Sequence, residues 1–295
     1  MELHVIIDNL PSGKMPQLHS EHGLCLQFSI DGQNYLVDSG ASGKALENMD
    51  KLHSNGTAVP QPEDIDAVFI SHGHNDHTGG LCKFIERNPA APIYLHNSVR
   101  GNYFFSCRPK NGIREARSIG MEQALFAEYE ERFREIEGAT RITEKIALIP
   151  ITGSKGFATP MGNEFLFKND LPDNFSHEVA ILVEHTPGEY TVISPCTHNG
   201  ILNVLECCRE NLDLSGKGEI KYFVGGLHYV DYLQGCGENK EAAQIIGTAH
   251  KLKELYPALK VFSGHCTCSA AGELMQSVLG ENYSTFCTGA TISCI

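Results

Sequence analysis

Several things that would assign the chain outright to a class are missing from it. No run of about 18 apolar residues occurs anywhere, which excludes a membrane-spanning helix. Positive charge is scarce, with 23 Lys and Arg against 36 Asp and Glu and a formal net charge of −13. That leaves no general basic face for nucleic-acid phosphates, although a local basic pocket is compatible with it. The eleven cysteines form no disulfide framework: Cys207 and Cys208 are adjacent and Cys266 and Cys268 lie two apart, in a chain far longer than disulfide-stapled domains. Such cysteine usage points to a reducing cytoplasm. The start, MELHVIIDNLPSG, carries Glu2, a short apolar run and no basic flank, so it reads as a first strand rather than an export signal. Repeats, low-complexity segments and compositional breaks are also absent. The expectation is one domain over residues 1–295 with ample length for a large core.

What is present is concentrated in residues 71–81, SHGHNDHTGGL. Ahead of them, residues 65–70 form a largely apolar run with three β-branched residues, the pattern of a buried strand. Behind them, Thr78 and paired glycines lead into residues 81–87, apolar and charged at helical spacing. His72, His74, Asp76 and His77 therefore crowd a turn between strand and helix. Histidines two apart in an extended segment point the same way, so His72 and His74 can hold one ion; after the turn, Asp76 and His77 can address a second. Imidazole with carboxylate suits zinc, iron or manganese, and the donors alone do not choose among them.

HGHNDH followed by Gly-Gly resembles the second motif of the metallo-β-lactamase superfamily. The resemblance implies an α/β fold, a four-layer αββα sandwich, with a one- or two-metal site at the sheet edges. It also implies that Asp38, at the end of the apparent hairpin strand QNYLVDSG, sits beneath the site and supports a ligand; a turn or helix-cap role is compatible with this. Later histidines at strand ends extend the match. His177, in NFSHEVAILVE, corresponds to the superfamily's third histidine, and His265, in KVFSGHCTCS, to its last. Between them the superfamily usually places a bridging Asp after a strand, but none follows EYTVIS here. Either His198 or the Cys196 thiolate must substitute, with His198 preferred, and neutral imidazole cannot bridge two ions as carboxylate does. The implied metal ligands are His72, His74, Asp76, His77, His177, His198 and His265. Asp76 doubles as a catalytic candidate. His228, at the glycine-opened turn of FVGGLHYV, is open to three readings, metal ligand, proton donor or substrate contact, of which the last two are preferred. A separate zinc knuckle at Cys266 and Cys268 lacks a second pair of proper spacing. His4, His19, His22, His53, His96, His185 and His250 have no strand-end glycine turn or ligand-spaced partner, and read as surface or satisfied core residues.

Residues 99–150 stand out as an insertion relative to a minimal sandwich. Arg100, Arg108, Lys110, Arg114 and Arg117 give it a basic character, open to two readings: anion capture, or solvated charge on a lid or edge. Residues 121–136, MEQALFAEYEERFREI, are spaced for an amphipathic helix. From residue 145 onward strands and helices alternate, as α/β layers require. The phrases DNFSHEVAILVE, SPCTHNGILNVLE, YFVGGLHYV and FSGHCTCSAAGELMQSVLG further resemble one branch of the superfamily, the proteins similar to the dihydropterin ribofuranosylaminobenzene phosphate synthase of methanopterin biosynthesis. The chain departs from that branch at Cys268, where a glycine usually follows HCT, and at Pro195-Cys196, where a GC pair usually precedes the histidine.

Three functions follow from these residues. One or two divalent ions, zinc first and iron or manganese as alternatives, would lower the pKa of bound water to about 7; the hydroxide would then hydrolyse a small anionic ester, phosphoester or related substrate. A synthase-like transferase would instead displace diphosphate from a pterin-type substrate. A non-catalytic metal or ligand sensor on an inherited fold is the third. The expected partner is a small molecule, with no nucleic acid and no membrane; an oligomer is compatible with the sequence.

Overall fold

Two seven-stranded sheets organise the chain. The structure, a computed structural model, describes residues 1–109, 114–212, 218–230 and 238–294, so Lys110 lies outside the described residues. The backbone gathers into two compact units. One comprises Met1–Glu137, Glu164–Val179 and Cys287–Cys294; the other comprises Gly138–Asn163 and Ala180–Phe286.

In the first unit the sheet runs Thr291–Ser293, Glu2–Ile7, Cys25–Ile30, Gln33–Val37, Ala67–Phe69, Ile93–His96, Phe133–Ile136. Its first pairs are antiparallel, and from Gln33–Val37 onward the pairs are parallel. Ile30 pairs with Gln33 across the two-residue turn Asp31-Gly32, both at positive φ, the geometry that a right-twisted hairpin demands. Parallel strands need crossovers, and helices supply them. Lys44–Ser54 buries Ala45, Leu46, Met49 and Leu52, spaced to one face, and Leu81–Arg87 buries Leu81, Phe84 and Ile85. These side chains join Ile6, Leu36, Val68 and Ile93 in one core, where each large apolar group contributes about 1.5–3 kcal/mol. A small antiparallel sheet, Leu171–Pro172, Leu166–Lys168, Phe104–Ser106 and Arg117–Ser118, completes this unit.

In the second unit the order is Tyr283–Thr285, Lys260–Ser263, Glu219–Val224, Glu189–Ile193, Val179–Thr186, Ile146–Pro150, Thr140–Arg141. The first four strands are mutually parallel. Helices Ile201–Glu210, Glu238–Leu255 and Ser269–Leu279 connect them, and Leu205, Phe223, Ala249, Val261 and Met275 share its core. Strand and helix alternate as expected among these four, so each of them ends at the same edge of the sheet.

One expectation fails. Residues 121–136 do not form a helix, and the described residues of the segment 99–150 do not make a helical insertion. Only Leu125–Glu128 is α-helical, Glu130–Arg132 forms a 3₁₀ turn, and Phe133–Ile136 is a strand. That strand pairs in parallel with Ile93–His96, from Ile93↔Phe133 to His96↔Ile136. Pairing an otherwise open sheet edge and packing Phe133 against Phe126, ring centroids 4.6 Å apart, outweighs helix propensity. Tertiary context commonly does so, and Glu128, Glu131 and Glu135 would have repelled one another at helical spacing. Further along, Thr140–Arg141 and Ile146–Pro150 are strands of the second sheet.

Candidate metal centre

Within the first unit the strand Ala67–Phe69 delivers the chain to His72, and His74 caps the single helical turn Asn75–Thr78, which carries Asp76 and His77. The paired glycines after it are needed for space rather than for unusual dihedrals. A Cβ on Gly79 would stand 2.2 Å from the Ala41 carbonyl oxygen, and one on Gly80 2.2 Å from that of Ser39. This close approach anchors the turn, with the Ser39 N–H donating to the His77 carbonyl at 2.7 Å.

The result is a cluster of buried imidazoles. His72, His74, His77 and His177 are each at most 5% exposed. Ring centroids lie 4.3 Å apart for His72 and His77, 6.0 Å for His72 and His177, and 5.7 Å for His74 and His177. His72 Nε2 and His74 Nδ1 are 3.1 Å apart. Two nitrogens on one ion, at bonds of ~2.0–2.1 Å and tetrahedral to octahedral angles, stand about 2.8–3.4 Å apart, so this pair fits a metal ion without rearrangement. Burial, followed by the neighbouring imidazoles His77, His74 and His177, holds His72 well below the usual histidine value; burial, with a further contribution from His177, lowers His74 to about 3. Both are therefore neutral at pH 7, as ligation requires.

Asp38 sets the orientation of two of these rings. It is fully buried, sits at φ 58°, and accepts from the Ser71 N–H at 2.8 Å, the Ser71 hydroxyl at 2.7 Å and His77 Nδ1 at 2.6 Å. Because the Ser71 hydroxyl donates to Asp38, its oxygen accepts from His72 Nδ1 at 2.9 Å. One carboxylate thus places the proton of both His72 and His77 on Nδ1 and leaves a lone pair on each Nε2. His77 Nε2 faces Asp76 Oδ2 at 3.7 Å, and the exposed His22 approaches the same oxygen at 3.4 Å. His177 is held differently. Its Nε2 donates to Asp173 at 3.0 Å, and its Nδ1 accepts the Gly73 N–H at 3.1 Å, so ligation by Nδ1 requires that last hydrogen bond to give way. Burial would raise the Asp173 carboxyl, but the hydrogen bond and charge of His177 outweigh it and hold the group below its usual value. Phe104 and Phe175 wall this ring, centroids 4.5 and 5.9 Å away.

In the second unit the expected residues gather at the ends of adjacent parallel strands. Cys196-Thr197-His198 follows Glu189–Ile193, Gly225 to His228 follow Glu219–Val224, and His265-Cys266 follow Lys260–Ser263. Thr197, His228 and His265 adopt φ of 49°, 52° and 51°, a region sparsely used outside glycine and often found where function fixes the backbone. The rings of His198 and His228 are 4.0 Å apart, and the His198 carbonyl accepts from Asn163 Nδ2 at 2.7 Å. Burial alone would push the Cys266 thiol up, but Cys196, His228 and the adjacent His265 bring it well below its usual value.

Asp173 and Ser71 were not singled out from the sequence, and Cys266 was weighed only as a knuckle partner of Cys268. Asp173 was findable, since it precedes His177 by four residues in the same turn; Cys266 acquires its neighbours only through strand order. The arginines of the 99–117 region are engaged elsewhere. Arg100 pairs with Glu135 and covers Phe126, Arg108 and Arg114 lie over the Phe165 ring, and Arg117 donates to the Arg108 carbonyl. Of the histidines set aside, His4, His19, His53, His96 and His185 bond Thr291, Glu47, the Val59 carbonyl, Ser98 and Thr191 respectively.

Known proteins share this arrangement of segments. A family model for the metallo-β-lactamase superfamily matches residues 25–100, which include every ligand candidate of the HGHNDH turn. The 7,8-dihydropterin-6-methyl-4-(β-D-ribofuranosyl)-aminobenzene-5'-phosphate synthase of Methanocaldococcus jannaschii is 24% identical over 292 residues, 92% of this chain and 90% of its own. A hydroxyacylglutathione hydrolase of Xylella fastidiosa is 36% identical over 70 residues, 24% of this chain and 23% of its own. Among solved structures, a metal-dependent hydrolase of the β-lactamase superfamily matches with TM-score 0.73 and 24% identity, over 100% of this chain and 99% of that one. Human tRNase Z, short form, matches with TM-score 0.53 and 13% identity, over 99% of each chain. The expected α/β fold class of these proteins is the one found.

Proposed function

From a chain that carries the fold and the signature segment of the metallo-β-lactamase superfamily, we propose a metal-dependent hydrolase acting on a small anionic ester, phosphoester or related substrate. The observation that supports it best is the His72 and His74 pair, nitrogens 3.1 Å apart and buried, beside a carboxylate that fixes imidazole tautomers. The proposed ligands are His72, His74, Asp76, His77 and His177, with His198 and His265; the metal is zinc, with iron or manganese as alternatives. Bound there, a divalent ion supplies an activated water and polarises the scissile group.

The remaining work falls to the chain. Asp38 holds the His77 proton on Nδ1, and through Ser71 that of His72. Asp76, at 17% side-chain exposure, is the catalytic carboxylate that reaches solvent and accepts a proton. His228 is the proton donor or substrate contact. Net charge −13 disfavours a polyanion and suits a small substrate, and cysteine usage suits the cytoplasm. The two units work as a single domain, for which one cooperative unfolding transition is the expected outcome. Chelation should abolish turnover of chromogenic esters and phosphodiesters, and added zinc, ferrous or manganous ion should restore it; turnover that survives complete metal removal overturns the proposal.

Identity spread over 92% of the chain to the synthase favours a second reading, displacement of diphosphate from a pterin-type substrate. Release of diphosphate with no oxygen from labelled water in the product would select it over hydrolysis.

A further inference from the structure

We propose that Cys196 and Cys266 form a thiolate pair which, with His265, binds a thiophilic divalent ion of the zinc class inside the second unit. The inference deepens the metal-dependent reading above, since it adds two sulfur ligands and so narrows the metal. The sulfurs lie 3.4 Å apart, both residues 3% exposed. An ion with two Zn–S bonds of about 2.3 Å at a tetrahedral angle sets them ~3.8 Å apart, so closure needs shifts of only tenths of an ångström. The donor atoms of Cys196, His265 and Cys266 all lie within 4.8 Å of one another. Those of Cys196, His198 and His228 do so too, so imidazoles approach the Cys196 sulfur from its own strand end and from those of the next two strands, Glu219–Val224 and Lys260–Ser263.

A second observation points to a ligand. His228 is 7% exposed, yet among the described residues neither of its ring nitrogens has a hydrogen-bond partner. Buried polar atoms are rarely left so, and an ion or the group it holds would satisfy them. The backbone is also shaped for the sulfur. The His228 N–H donates to Cys266 Sγ at 3.2 Å, and a Cβ on Gly226 would stand 2.3 Å from that sulfur. The sequence-adjacent alternative is not built, because Cys268 caps the helix Ser269–Leu279 and its N–H bonds the Tyr229 carbonyl at 2.9 Å. Soft thiolates with imidazole select zinc or ferrous iron over magnesium and manganese.

The test is cobalt(II) substitution of the full chain, reduced and under anaerobic conditions. Wild type should bind cobalt and show intense thiolate-to-cobalt charge transfer in the near ultraviolet. Cys196→Ser and Cys266→Ser should each weaken that absorption and lower zinc affinity by about tenfold or more. Cobalt bound by wild type without thiolate absorption overturns this proposal and leaves the metal-dependent reading standing; no cobalt bound at all overturns both. The wild-type spectrum decides the matter even where a serine variant fails to fold.

Discussion

Asp38→Asn isolates the role of a buried carboxylate that no solvent reaches. Asparagine accepts the left-handed conformation at φ 58° without added strain, and its shape is unchanged. Only the acceptor at Oδ2 is lost, and Oδ2 receives both the Ser71 hydroxyl at 2.7 Å and His77 Nδ1 at 2.6 Å. An amide NH₂ placed there meets two donors. Hydrogen bonds to charged groups contribute ~1.5–3 kcal/mol each, so the loss should reach about 3 kcal/mol or more. At roughly 2–4 °C per kcal/mol for a large domain, Tm falls by about 6–12 °C. His77 relieves the clash by moving its proton to Nε2, which removes the lone pair that ligation needs, and metal affinity should fall ~10–100-fold. Urea denaturation of the metal-free protein and zinc titration against a competing chelator measure the two effects. A destabilisation below about 1 kcal/mol with unchanged zinc affinity would refute the role given to Asp38.

Two further perturbations probe the surroundings of the site. Metal-free protein should lose stability between pH 7 and pH 5: His74 has its folded value lowered to about 3, the unfolded chain takes up the proton near 6.5, and stability present above that value falls by ~2 kcal/mol by pH 5 from this group alone. A urea midpoint that stays level or rises on acidification contradicts the buried neutral imidazole. Gly79→Ala should cost about 3 kcal/mol or prevent folding, because its Cβ would meet the Ala41 carbonyl oxygen at 2.2 Å. Gly247→Ala, in the helix Glu238–Leu255 with nothing within 4 Å, should gain ~0.5–1 kcal/mol; equal effects of the two would refute the close-approach argument.

The parts of the fold legible in the sequence were those where local pattern and tertiary role agree. The helix over residues 81–87 was read at its observed bounds because its apolar spacing and the core face coincide, and the hairpin at Asp31-Gly32 because turn chemistry is local. Residues 121–136 misled because their helical spacing competed with a sheet edge at Ile93–His96 that no window of sequence displays. At the candidate site, the histidines of the HGHNDH turn and Asp38 were visible as motif. The path from Asp38 through Ser71 to His72 was not, since it depends on which oxygen the hydroxyl faces. Nor was the approach of Cys196 to Cys266, which are 70 residues apart and meet because their strands flank Glu219–Val224 in a parallel sheet.

The central claim is that the imidazoles of the HGHNDH turn hold a divalent ion. Elemental analysis of protein purified without added metal, run beside His72→Ala and His74→Ala, tests it most directly. The account predicts at least one equivalent of zinc, iron or manganese per chain in the parent and its loss in both variants, with the fold retained by circular dichroism. A parent without metal, or variants that keep the parent's full metal content, would contradict it.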